Sequence, residues 1–151
     1  MTVAWRAWVV LLIGSLWTHA GEAAAGTPAT LSELVETARQ AVVHVRAVVP
    51  DGGRGGSASN AVLSVGSGFF VDRAGTLITN EHVIHDAVDI RVRLFDGREL
   101  PACVTGLDLL TDIALLSIKS GRPVPELTLG DSDKVRAGDP VVAIGSPFGF
   151  S

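Results

Sequence analysis

His82 and Asp112 stand in settings that suit proton transfer. His82 follows Leu77-Ile78-Thr79-Asn80-Glu81, where an apolar run stops, and Asp112 leads directly into Ile113-Ala114-Leu115-Leu116. An imidazole at a strand end facing a cleft can take a proton from a hydroxyl, provided that a carboxylate fixes its tautomer and stabilises the imidazolium that forms. An Asp beside an apolar run is costly unless partnered, so Asp112 is expected to be desolvated and bonded to the His82 ring. Thirty residues separate the two, and only the fold can join them. The hydroxyl that such a pair would activate is harder to find. Of Ser67, Ser132, Ser146 and Ser151, Ser67 lies within a Gly-Ser-Gly strand block, Ser132 in the acidic turn Gly130-Asp131-Ser132-Asp133, and Ser146 before Pro147-Phe148-Gly149. None is followed by the glycines that expose a nucleophile and turn backbone amides toward an oxyanion.

A metal site is the rival chemistry. His82 and His85 are spaced for one turn of helix, with Asp112 or Asp86 as a third ligand. The zinc-protease order, His-Glu-x-x-His, is absent, because Glu81 precedes His82. His85 therefore reads as a solvent-facing residue of the turn after His82, and no metal or organic cofactor is implied.

The elements that must position these residues are strands. Six β-branched or alternating apolar runs, 41–49, 62–71, 76–78, 89–94, 99–105 and 112–118, are separated by Gly, Asp and Asn. Six short strands without intervening helices predict an all-β domain, an antiparallel sheet closed into a barrel or folded into a sandwich. Asp72-Arg73-Ala74-Gly75 and Phe95-Asp96-Gly97-Arg98 supply the Asp and Gly of tight reversals. A short helix is expected ahead of the strands, against the domain: Thr30 stands three residues before Glu33, and Leu31, Leu34, Val35 and Ala38 recur at helical spacing. The glycine-rich stretch 51–60 lacks the Lys-Ser or Lys-Thr of a phosphate loop and reads as a surface hairpin loop. Asp139 to Gly149 predicts one further strand, at 141–144, running into a turn.

Composition narrows the class. Twelve Lys and Arg against sixteen Asp and Glu give a mildly acidic chain with nothing to capture nucleic acid electrostatically. Cys103 is the single cysteine and cannot form an internal disulfide. In Leu100-Pro101-Ala102-Cys103-Val104 it reads as a small core residue. Residues 1–25 read as an export signal: Arg6, an 11-residue apolar run from Ala7 to Trp17, then small-residue sites at Thr18-His19-Ala20 and Ala23-Ala24-Ala25. That run is short of the ~20 residues that a spanning helix needs. Cleavage after Ala25 leaves 126 residues, one small domain.

Four blocks together resemble the HtrA/Deg trypsin-like serine proteases: Gly66-Ser67-Gly68-Phe69-Phe70-Val71, Leu77-Ile78-Thr79-Asn80-Glu81-His82-Val83-Ile84, Thr111-Asp112-Ile113-Ala114-Leu115-Leu116 and Gly145-Ser146-Pro147-Phe148-Gly149. The resemblance runs from about Leu31 to Ser151, with Gln40 where Pro is frequent and Ser146 where Asn is frequent. It implies two six-stranded barrels flanking an active site, His82 as general base, Asp112 as its carboxylate, and a Ser from the second barrel as nucleophile. The implied organisation is a signal peptide at 1–25, a linker and short helix at 26–40, the first barrel at 41–138 and the start of the second at 139–151. The sequence would then be the N-terminal part of an exported serine endopeptidase of the periplasm or cell envelope, acting on unfolded or misfolded polypeptides, with a homo-oligomer as the candidate assembly of the intact protein and a PDZ domain commonly following in the family. The competing expectation is a noncatalytic truncated homologue that serves as a binding module, with an exposed barrel face.

Overall fold

The computed structural model describes residues 30–50 and 61–145. The export signal and the glycine-rich loop inferred above lie outside the described residues, as does Ser146. Six antiparallel strands close into a barrel: β1 (Val42–Pro50), β2 (Ala61–Phe70), β3 (Thr76–Thr79), β4 (Asp89–Arg93), β5 (Glu99–Asp108) and β6 (Ile113–Ile118). Their order around the barrel is β1-β2-β3-β6-β5-β4, and β4 returns to β1 through His44↔Arg93 to Val48↔Asp89. All six runs read from the sequence are strands.

Period-two patterning sets the inside of the barrel. In β4, Ile90 and Val92 point inward between exposed Asp89, Arg91 and Arg93; in β6, Ala114, Leu116 and Ile118 are buried while Ile113 and Leu115 are not. The centre is Val43, Val45, Phe70, Leu77, Val92 and Leu116, each at most 2% exposed. Burying each such side chain contributes about 1.5–3 kcal/mol, the main support of a domain with one cysteine. Asp72 shapes the β2–β3 reversal, its Oδ1 accepting from the amides of Ala74, Gly75 and Thr76 at 2.9 Å each.

Several expectations need correction. Cys103 is exposed, not core. β5 turns Leu100 and Ala102 inward, and the pleat sends Cys103, opposite Ser117, to the other face. β5 also runs beyond Thr105 to Asp108, because the ladder shifts register between Val104 and Gly106 and then resumes at Gly106↔Leu115. The helix α1 (Leu31–Ala38) forms with both bonds of its capping box, Thr30 N to Glu33 at 3.0 Å and Glu33 N to Thr30 at 3.2 Å. It buries no residue, however, and Leu31 and Leu34 stay exposed. Residues 141–144 form no strand: among the described residues no segment pairs with them, and an unpaired run has no ladder to join.

Candidate active site

A one-turn helix that the sequence did not announce, α2 (Glu81–Ile84), joins β3 to the loop before β4. Four residues are far below the length at which a helix holds itself, so α2 depends on tertiary contacts. Val83 and Ile84 are buried in the barrel core. Gly66 of β2 makes room for Val83: a Cβ at Gly66 would lie 2.5 Å from Val83 Cγ2. Asn80 is the N-cap by position but makes no capping bond, because its side chain is engaged elsewhere.

That engagement is with Asp112, in the turn before β6. Asp112 has φ 56°, in the left-handed region that Asp tolerates better than most residues. The residue is held from both ends. Its carbonyl accepts from Asn80 Nδ2 and from the Glu81 amide, each at 3.2 Å. Its carboxylate accepts from the His82 amide at 2.9 Å through Oδ1, and through Oδ2 from Asn80 Nδ2 at 3.1 Å and His82 Nδ1 at 2.7 Å. Five bonds therefore tie one aspartate to three consecutive residues of the α2 entry. The His82 amide and ring, followed by Asn80, hold the Asp112 carboxyl below its usual range.

An ionised carboxylate only accepts, so the His82 nitrogen facing Asp112 carries the proton. In the neutral form of the ring that tautomer leaves the lone pair on Nε2, the arrangement a general base requires. Desolvation, expected from the sequence, is not what the structure has: the side chains of His82 and Asp112 are 70% and 42% exposed. Asp112 sits in a surface turn one residue ahead of the strand, and its charge is satisfied by hydrogen bonds while still open to water.

Beside the pair lies a groove of about 410 Å³, lined in part by Ser67, Thr79, Asn80, Ile113, Val142 and Ile144. Two of these lining residues are tied together, the Thr79 hydroxyl donating to the Ser67 carbonyl at 2.8 Å. Of the hydroxyls considered from the sequence, Ser67 is in mid-strand opposite His44, and Ser132 begins a three-residue 3-10 helix. The two histidines do not converge on a ligand: His85 Nδ1 is 2.6 Å from Glu81 Oε1, whereas His82 faces Asp112. No cluster of three metal-ligating side chains occurs among the described residues.

Sequence reasoning missed the parts played by Asn80 and Glu81. For the first the sequence holds no signal, since Asn80 makes no capping bond and its partner Asp112 is distant in sequence. The Glu81/His85 spacing of four was a readable signal for the second.

Residues 66–151, more than half of the sequence, match the trypsin-like peptidase domain, and the chain belongs to that family. It is 47% identical over 95 residues to a probable periplasmic serine endoprotease DegP-like of Pseudomonas putida (strain W619), covering 63% of this chain and 20% of that protein. A protein of the same name from Pseudomonas fluorescens (strain Pf-5) is 50% identical over 95 residues, with 63% and 20% covered. The periplasmic serine endoprotease DegP of Escherichia coli (strain K12) is 41% identical over 100 residues, 66% of this chain and 21% of that protein. The resemblance to HtrA/Deg proteases is thus met by relatives that carry the DegP name. The chain spans about a fifth of their length.

Proposed function

We propose that this chain supplies the base and its carboxylate to a serine endopeptidase of the periplasm, acting on unfolded or misfolded polypeptides. The single observation behind this reading is the double bond-set from Asp112 to His82, one oxygen on the ring Nδ1 at 2.7 Å and the other on the backbone amide at 2.9 Å. The ring is fixed in tautomer and in direction at once. In the reaction, His82 Nε2 takes the proton of a serine hydroxyl as that oxygen adds to a peptide carbonyl, and the imidazolium so formed is stabilised by Asp112. His82 then returns the proton to the leaving amine. The serine is one that residues 1–151 do not present in a Gly-x-Ser-Gly-Gly loop. The periplasmic setting and the protein substrates are carried over from the names of the relatives and from the HtrA/Deg resemblance.

The test is hydrolysis of unfolded casein by the native protein with wild-type, His82→Ala and His82→Gln sequences. Loss of cleavage in both variants, with the fold retained by circular dichroism, is the expected result. Equal cleavage by all three overturns the assignment of His82. The alternative, a noncatalytic binding module, draws on apolar side chains left in the open, Leu109, Leu110 and Ile113. It would be favoured if the wild-type protein held casein without cutting it.

A further inference from the structure

The helix that carries His82 holds a second carboxylate–imidazole pair. Glu81 and His85 bracket α2, the one at its first residue and the other just past its last, with Oε1 and Nδ1 2.6 Å apart. The Glu81 side chain is 11% exposed, and His85 is its one partner among the described hydrogen bonds. A carboxylate so far removed from water is costly to leave unpaired. The Glu81 amide, on the same residue, donates to the Asp112 carbonyl. Glu81 is thus bonded by its backbone to the turn that holds Asp112 and by its side chain to the far end of the helix that holds His82.

We propose that Glu81 and His85 are positioning residues for His82: they clamp the single turn of α2 end to end and so hold the His82 ring and amide against Asp112. Three observations lead there. α2 is too short to persist by itself. Its N-cap side chain is spent on Asp112 and does not cap the helix. Its last residue is followed by His85 with ψ 129°, which ends the helical path and leaves the Glu81 bond as the side-chain tie between the two ends. The clamp is charge-assisted, since the bond to Glu81, its charge and that of Asp86 at 3.6 Å together hold the His85 proton more firmly than usual.

The inference rests on His82 being the base, but its test does not need activity. Amide hydrogen exchange is followed residue by residue in the 151-residue chain with wild-type, His85→Ala and His85→Gln sequences. In His85→Ala the His82 and Val83 amides should exchange about tenfold faster, the loss of roughly one hydrogen bond, while Val92 and Leu116 in the barrel are unchanged. A Gln at 85 can donate to Glu81 across the same turn and should restore most of the protection. If His85→Ala leaves the His82 and Val83 amides within twofold of wild type, the clamp is refuted. If His85→Ala cannot be folded, a His85→Gln chain with unprotected α2 amides and a protected barrel refutes it equally. In the native enzyme His85→Ala should lower kcat about tenfold at unchanged KM, with His85→Gln recovering it. A clamp confirmed by exchange together with a fully active His82→Ala enzyme would leave the clamp standing and remove the assignment of His82 instead.

Discussion

Asp112 grips His82 twice, by its ring and by its backbone amide. The consequence is that the carboxylate sets where the imidazole is as well as which nitrogen bears the proton. Asp112→Asn separates these two roles. An amide keeps the shape and can still accept from the His82 amide, but it can also present N–H to Nδ1 and favour the wrong tautomer. On the proposed function, kcat for peptide hydrolysis should fall by about 10⁴, the scale of that tautomer effect in a serine-protease triad. Steady-state peptide hydrolysis checks it, and a loss under tenfold would mean that Asp112 only packs.

Acid should loosen the same contact. The His82 amide, the His82 ring and Asn80 favour ionised Asp112, so its folded pKa lies below the unfolded value of about 3.9. A group depressed in this way contributes stability above the unfolded value and loses it as pH falls through the folded one. Thermal melts from pH 7 down to pH 2 should therefore show a gap between wild type and Asp112→Asn that is constant above about pH 4 and closes below it. His85 has the opposite sign. Its pKa is raised by Glu81 first and Asp86 after, so its contribution is complete below about 6.5 and fades as pH rises through the folded value. Melts of His85→Gln against wild type should diverge on the acid side of that step and converge on the alkaline side.

Gly66 decides whether α2 can seat at all. A methyl there would be 2.5 Å from Val83 Cγ2 and 3.0 Å from Cγ1, and a β-branched side chain packed in the core has little room to retreat. Gly66→Ala should cost about 1–3 kcal/mol in urea denaturation. Val83→Ala removes the obstructing methyls, so the double variant should lose less than the two single losses added together, a coupling that a double-mutant cycle reads directly. Strict additivity would show that α2 does not rest on Gly66.

How much of this was legible beforehand depends on the range of the forces involved. Alternation within a strand is local, and the inward set in β4, Ile90 and Val92, could be read from five consecutive residues. Where a strand stops is less local. β5 continues past Thr105 only because Gly106 finds Leu115 across the ladder, a partner distant in sequence. α2 is the extreme case, since no propensity sum over four residues predicts a helix that Gly66, Asp112 and the core hold in place. The types and spacing of His82 and Asp112 pointed to the pair. The left-handed backbone of Asp112, its open exposure and the part of Asn80 came from tertiary contacts that the sequence does not display. The apolar neighbours of Cys103 suggest a buried setting, but the strand's pleat puts alternate residues on opposite faces and leaves Cys103 on the outer one.

The 151-residue chain taken alone should not hydrolyse peptides. His82 offers a lone pair, yet residues 1–151 contain no Gly-x-Ser-Gly-Gly loop to place a hydroxyl beside it. The backbone donors for a tetrahedral oxyanion come from such a loop as well, and losing even one donor costs about 10²–10³ in rate. Without such a loop, proton abstraction by His82 is expected to find no activated hydroxyl to act on. Purified chain incubated with unfolded casein for hours should leave it uncut, and His82→Ala should give the same blank. Cleavage that His82→Ala abolished would make one of the serines within the chain the nucleophile. Ser67, in the groove beside Asn80, would then be the first to replace, and Ser67→Ala the variant to decide it.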